Sequence, residues 1–229
     1  MEIVDAIRER RSIRAFKPDR VPLEVLRELL ELALRAPSFA NTQPWEFAVV
    51  TGNKLETIRQ AFVDRAEAGE EAAADVPYPA GFPELYDTRR RTVGKKVFEL
   101  KGIGRGDRER RKWWLMQGLR LFGAPCVIYI LTDRSFCLPA DGANPWPVFD
   151  CGLVAGNIML LAPGYDLGTI ALIQAVAYPG VLRETLGIPD SRLILLGIAI
   201  GYPDRDDPIN GLCSERDPLD TVSTWHGWH

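Results

Sequence analysis

The run LILLGIAI, Leu193 to Ile200, is apolar or glycine at every position. It falls far short of the roughly 20 residues a membrane helix needs, so it reads as a buried strand. Three more segments have strand character: WEFAVVT at 45–51, APCVIYILTD at 124–133 and DLGTIALI at 166–173. Helical patterns separate them. Ile3, Val4, Ala6 and Ile7 suit a short helix over 2–10. LEVLRELLELALRA puts Leu26, Leu29, Leu30, Ala33 and Leu34 on one face, starting after Pro22 and ending before Pro37. Residues 53–74 repeat the pattern through Leu55, Ile58, Phe62 and Ala66, with Asn53 as the expected N-cap. Residues 107–122 read as helix, with Trp113 and Trp114 expected in the core or at a subunit contact. PVFDCGLVAGNIMLLA (147–162) is nearly all apolar and so expected to be central, with Asp150 at its N-cap. GVLRETLG (180–187) is a short helix. Strands separated by helices, with a polar and aromatic arm at the end, predict α+β layers rather than a doubly wound sheet.

No repeat or linker divides the 229 residues, which fit one domain. The net charge of −3 and a pI of about 5.6 argue against nucleic acid or an acidic membrane as a general partner. The N-terminus lacks the apolar core of a secretory signal. Cys126, Cys137, Cys151 and Cys213 form no CxxC pair, and the histidines are His226 and His229. That offers no metal set and no Cys–His nucleophile, and no GxSxG elbow is present. Reduced thiols in a cytoplasmic protein are the expectation. The chemistry must come from something the chain binds.

Two segments say what that could be. Arg8, Arg10, Arg11 and Arg14 fall within seven residues, with Ser12 among them. Fork-shaped donors and a hydroxyl suit a phosphate, although a charged helix end can equally be a solvated face. PSFANTQPW then sets Ser38, Asn41, Thr42 and Gln43 between two prolines. Neither GxGxxG nor GxxxxGK[ST] occurs. Residues 75–107 carry three prolines, five glycines and many charges, and read as a mobile loop or lid.

RRSIRAF (10–16), a helical segment, and then APSFANTQPWEF (36–47) together resemble the nitroreductase family of FMN flavoproteins. The resemblance continues through FGAP (122–125), LGT (167–169), LGIP (186–189), GIAIGYPD (197–204), PIN (208–210) and SERDPLDTVSTWHG (214–227). It implies a three-layer α/β/α fold with a mixed central sheet flanked by helices. It further implies a homodimer that exchanges a C-terminal arm, residues 207–229, and holds FMN at its interface. By the same resemblance, Arg10, Arg11 and Ser12 hold the phosphate and ribityl end, and Arg14 lies near the flavin N1/O2 edge. Ser214 and Arg216 add a second phosphate contact, and Gln117 and Arg120 touch the ribityl chain and ring edge. Ile173 and Gln174 present backbone toward N5, while Pro37, Ser38, Phe39 and Asn41 approach the partner's flavin.

The implied activity is two-electron, ping-pong reduction of small aromatic acceptors, nitroaromatics or quinones, with NAD(P)H as donor and no catalytic side chain. Phe82, Tyr86, Arg89, Arg90 and Arg91 of the lid would meet the acceptor. Two departures stand out. Leu172 and Ile173 are more apolar than the family pattern, and Pro163 and Gly164 predict an early end to the central helix. Three rival readings share the fold: reductive dehalogenation of the iodotyrosine deiodinase type, with Glu84, Tyr86 and Lys95 gripping a zwitterion; flavin destruction in cobalamin-ligand synthesis; and a non-catalytic FMN-binding module.

Overall fold

The computed structural model describes residues 2–138 and 142–228, so His229 lies outside the described residues. Helix α1 (Ile3–Glu9) leads into an extended segment, then α2 (Leu23–Ala33), β1 (Trp45–Thr51) and α3 (Gly52–Glu67). An irregular stretch precedes α4 (Glu84–Leu100) and α5 (Arg108–Leu119). Strand β2 (Cys126–Asp133) is followed by the single turn α6 (Arg134–Cys137) and by α7 (Trp146–Leu161). Strand β3 (Gly168–Leu172), α8 (Pro179–Leu186), β4 (Arg192–Gly201) and one terminal turn, α9 (Leu219–Val222), complete the chain.

The strands form one sheet of order β1-β2-β4-β3. Its centre, β2 and β4, is covered on both faces, which is why VIYIL and LILLGIAI lack polar alternation. The pleat sends Val127, Tyr129 and Leu131 to one side, against Leu55, Ile58 and Phe62 of α3 and Leu182 of α8. It sends Cys126, Ile128 and Ile130 to the other, against Leu26 and Leu29 of α2 and Val154 and Ile158 of α7. The result is the expected three-layer α+β architecture. The sheet itself differs from a mixed one. Among the described residues every strand pairing is antiparallel, and the parallel element is an isolated bridge between Ser12 and Thr169. Here the RRSIR segment runs beside edge strand β3. Gly168 allows it: a Cβ there would lie 2.4 Å from Ile13.

Several local expectations are corrected. Most of 75–107 is not loop, because α4 spans 17 residues of it. Asp87 bonds Arg90 and Arg91, three and four residues on, and Val97 buries against Ile103, Trp114, Ile209 and Leu212. Packing and paired charges outweigh the glycine and the weak amphipathicity. Thr51, extended at the end of β1, is the N-cap of α3, so Asn53 lies inside the helix. Asp150 also lies inside its helix, because Pro145 and Pro147 start α7 one turn earlier. Of the two tryptophans expected in the core or at a subunit contact, Trp114 is in the core and Trp113 is exposed on the single chain.

Helix α7 with its following turn, Trp146–Tyr165, is 20 residues long with a mean hydropathy of 1.3, long and apolar enough to cross a membrane. It packs instead on α2 and the sheet through Asp150, Cys151, Val154, Ala155 and Ile158, yet only 33% of its most apolar window is buried in the single chain. As Pro163 and Gly164 predict, it stops at Leu161 and ends in a 3-10 turn with Asp166 left-handed (φ 57°). The arm divides in two: Ile209, Asn210 and Leu212 dock in the chain's own core, while residues beyond them are largely exposed.

Candidate active site

The arginines converge. Arg8, Arg10, Arg11, Ser12 and Arg14 line a cleft of about 380 Å³ together with Val93 of α4 and Leu212, Cys213, Ser214 and Arg216 of the arm. Among the described residues, none of these guanidinium groups is paired with a carboxylate. Arg14 donates to the Ser12 carbonyl (3.2 Å), and burial pulls its pKa below the ordinary arginine value. Arg216 donates to the Ser214 carbonyl (3.0 Å) and hydroxyl (2.8 Å). Several unpaired cations facing one cleft have the chemistry to take a multivalent anion.

Asn210 builds this cleft, although the sequence marks it only as part of PIN. Its side-chain oxygen accepts from the Arg14 (2.7 Å) and Ala15 (3.2 Å) amides. Its amide group donates to the Ala15 and Asp204 carbonyls, both at 2.7 Å. One buried side chain thus locks the arginine segment to the root of the arm.

A second group gathers where β3 ends. Thr169 bridges Ser12, and Ile173 lies four residues further on, about 13 Å at strand rise. Residues Gln174–Val176 form a 3-10 turn. Ala175 fits against β4 because Gly197 has no side chain; a Cβ there would lie 2.4 Å from it. The Gln174 side chain lies over Gly118 of α5, the helix that carries Gln117 and is capped by Arg120. Gln117 Nε2 donates to the Trp113 carbonyl (3.3 Å), and Ile173 is exposed. The arginine cleft and an apolar turn beside Gly118 therefore stand at the two ends of one strand.

The third group stays apart. Pro37, Ser38, Phe39 and Asn41 form a loop whose bonds run to α7 and within itself. Asp150, 3% exposed, accepts from the Phe39 amide at 3.0 Å. Ser38 Oγ accepts from the Gln43 amide at 3.0 Å. Ala40, Asn41 and Gln43 all have positive φ, of 47°, 57° and 46°. Such backbone persists only where its surroundings enforce it. Phe39 stacks at 6.5 Å on Trp146, which meets Phe149 at 6.1 Å, and all three are exposed.

The lid residues sit on and just before α4. Arg90 lies over Phe82 and Arg89 over Tyr86, each at 5.5 Å. Arg89 pairs with Asp217 and Lys96 with Glu215, tying α4 to the arm. Arg89, Arg90, Ser214 and Arg216 share the lining of a cavity of about 750 Å³ beside the arginine cleft. Glu84 and Lys95 are eleven residues apart on one helix, about 16 Å, and Lys95 pairs with Glu99 (3.7 Å). Among the described residues no cluster could hold a metal ion.

The model of the nitroreductase family matches residues 7–202. The nitroreductase NfnB of Mycolicibacterium smegmatis is 32% identical over 207 residues, covering 90% of this chain and 85% of that protein. A 4-nitrobenzoate reductase of Nocardioides sp. is 31% identical over 98% of this chain and 90% of its own length. The crystal structure of an FMN and NADPH-dependent nitroreductase NfnB from a Sphingopyxis strain superposes with a TM-score of 0.92 at 31% identity, covering 100% of both chains. The arginine cleft, the LGT strand edge and the matched length lead to one conclusion: this chain belongs to the nitroreductase family.

Proposed function

We propose that the chain is an FMN-dependent NAD(P)H oxidoreductase that reduces nitroaromatic compounds, and quinones as alternative acceptors. The observation that carries this reading is the cleft of unpaired guanidinium groups at one end of β3, with the Ile173–Gln174 turn at the other. Those donors fit the phosphate of FMN, and the turn with Gln117 fits its ring end. The named substrates and cofactors of the relatives support the assignment.

Bound FMN supplies two-electron transfer between NAD(P)H and an acceptor that enter the same space in turn. The chain's own residues bind and orient. Arg10, Arg11, Ser12, Ser214 and Arg216 hold the phosphate. Arg14, fixed through Asn210, places a cation beside the ring edge where reduction builds negative charge. No histidine lies in the body of the chain, so water supplies the protons. The lid residues Phe82, Tyr86, Arg89 and Arg90 border the acceptor space.

The active form is a homodimer. The loop of Pro37, Ser38, Phe39 and Asn41 is held on α7, and the exposed face of α7 carries Trp146 and Phe149 beside it. Burying that face against a second copy brings the strained loop to the partner's flavin, and the exposed arm from Cys213 wraps the partner. Four free cysteines fit a reducing cytoplasm.

Initial rates of NADPH oxidation by the FMN-loaded protein, at several nitroarene concentrations, test the activity. Parallel double-reciprocal lines are expected. Oxidation that does not depend on the nitroarene contradicts the reading.

A further inference from the structure

Tyr78 lies in the irregular stretch before α4, and the sequence gives it no role. Its hydroxyl donates to the Ile173 carbonyl at 2.8 Å. The same oxygen accepts from the Val176 amide at 3.1 Å. Two donors fill its two lone pairs, so the Ile173–Gln174 peptide plane cannot turn without losing both. In a trans peptide the carbonyl and the amide point opposite ways, so the Gln174 N–H is held facing away from Tyr78.

Tyr78 is itself anchored. The stretch before it is strapped across residues 177–178 and onto β4. The Tyr178 hydroxyl donates to the Glu70 carbonyl (3.0 Å), and the Ala73 amide to the Ala177 carbonyl (2.9 Å). Asp75 accepts from the Ile194 amide (2.8 Å) and from Arg183 (2.7 Å). The turn is therefore clamped from the sheet side by Ala175 on Gly197 and from the outer side by Tyr78. Only residues 79–83 separate Tyr78 from α4, so this bond and the lid's first turn share one short segment of chain.

We propose that Tyr78 is a positioning residue: its hydroxyl orients the Ile173–Gln174 peptide toward the flavin and couples that peptide to the lid helix. The proposal rests on the functional reading above, which sets this peptide against the ring. Tyr78→Phe keeps the ring and removes the bond. Tyr178→Phe is the control: it removes one strap bond, made to Glu70 and not to Ile173, while the Ala73 and Asp75 bonds keep the strap and Tyr78 in place.

Hydrogen exchange of the apoprotein reads the peptide without flavin. Tyr78→Phe is expected to speed exchange across 173–177 by about five- to tenfold, the factor of a single neutral hydrogen bond. Thermal midpoints are expected within about 4 °C of wild type, the shift of ~1 kcal/mol in a chain this long. In the loaded protein, flavin reduction by NADPH slows by a similar factor while FMN affinity, set at the arginine cleft, stays within about twofold. Tyr178→Phe reduces at the wild-type rate. Wild-type exchange in Tyr78→Phe overturns the proposal, and so does faster exchange with an unchanged reduction rate. A wild-type protein that neither NADH nor NADPH reduces overturns the functional reading and the proposal with it, and shows itself before any variant is made.

Discussion

Arg14 and Arg216 meet in one cleft from opposite ends of the chain, and neither has a carboxylate partner among the described residues. Charge-assisted bonds to an anion contribute about 1.5–3 kcal/mol each, so Arg216→Ala should weaken FMN binding by roughly 10- to 100-fold. Quenching of flavin fluorescence on titration measures it. Cys213 lines the same cleft and is the exposed thiol. Burial pushes the Cys126 and Cys151 thiols up to about 12, and raises that of Cys137. Thiolates are the reactive form, so a disulfide reagent at neutral pH should modify Cys213 alone, and FMN should slow that modification. Equal labelling rates with and without FMN would place the cofactor elsewhere. Asn210 and Tyr78 are residues that sequence patterns do not expose, because their partners are backbone groups far along the chain and leave no periodic trace.

At the scale of elements, α4 is where composition and structure part. Its glycine, charges and preceding prolines read as loop, while its order comes from ion pairs one turn apart and from Val97 against the arm's root. Strand β1 was legible with the same bounds as the structure because a strand's apolar run is local. Asp150 was misplaced because it is a good capping type, yet the helix starts earlier on its prolines and uses Asp150 to hold Phe39. Lys101 near the end of α4 bonds Asp207 at 2.9 Å. Burial raises the Asp207 pKa, but the Lys101 and Ile209 hydrogen bonds and the Lys101 charge outweigh it and hold it below its ordinary value. A carboxyl depressed on folding stabilises fully above its unfolded pKa of about 3.9 and loses that effect as pH falls through the folded value. The stability difference between wild type and Asp207→Asn should therefore be constant from about pH 5 to 8 and shrink below about pH 4. Denaturant midpoints across that range check it, and a difference that shrinks near neutrality contradicts it.

Over the whole molecule, the three layers were readable because two central strands and their covering helices are each patterned locally. The exposed half of α7 was not, because an apolar helix gives no sign of whether its own chain or a second copy covers it. Phe149 is 59% exposed beside Trp146 at 57% and Phe39 at 65%. A charge on that face would be desolvated in a dimer. Phe149→Glu should give a monomer in sedimentation that still folds but retains little FMN, whereas a wild-type protein that sediments as a monomer would sink the two-copy site.

The most direct test of the account is anaerobic absorbance of the purified, FMN-loaded protein on adding NADH, then NADPH, then a nitroarene. The account predicts flavin bands that bleach with a nicotinamide donor and return with the nitroarene. A protein that cannot be loaded with FMN, or whose bound flavin neither donor reduces, would contradict it.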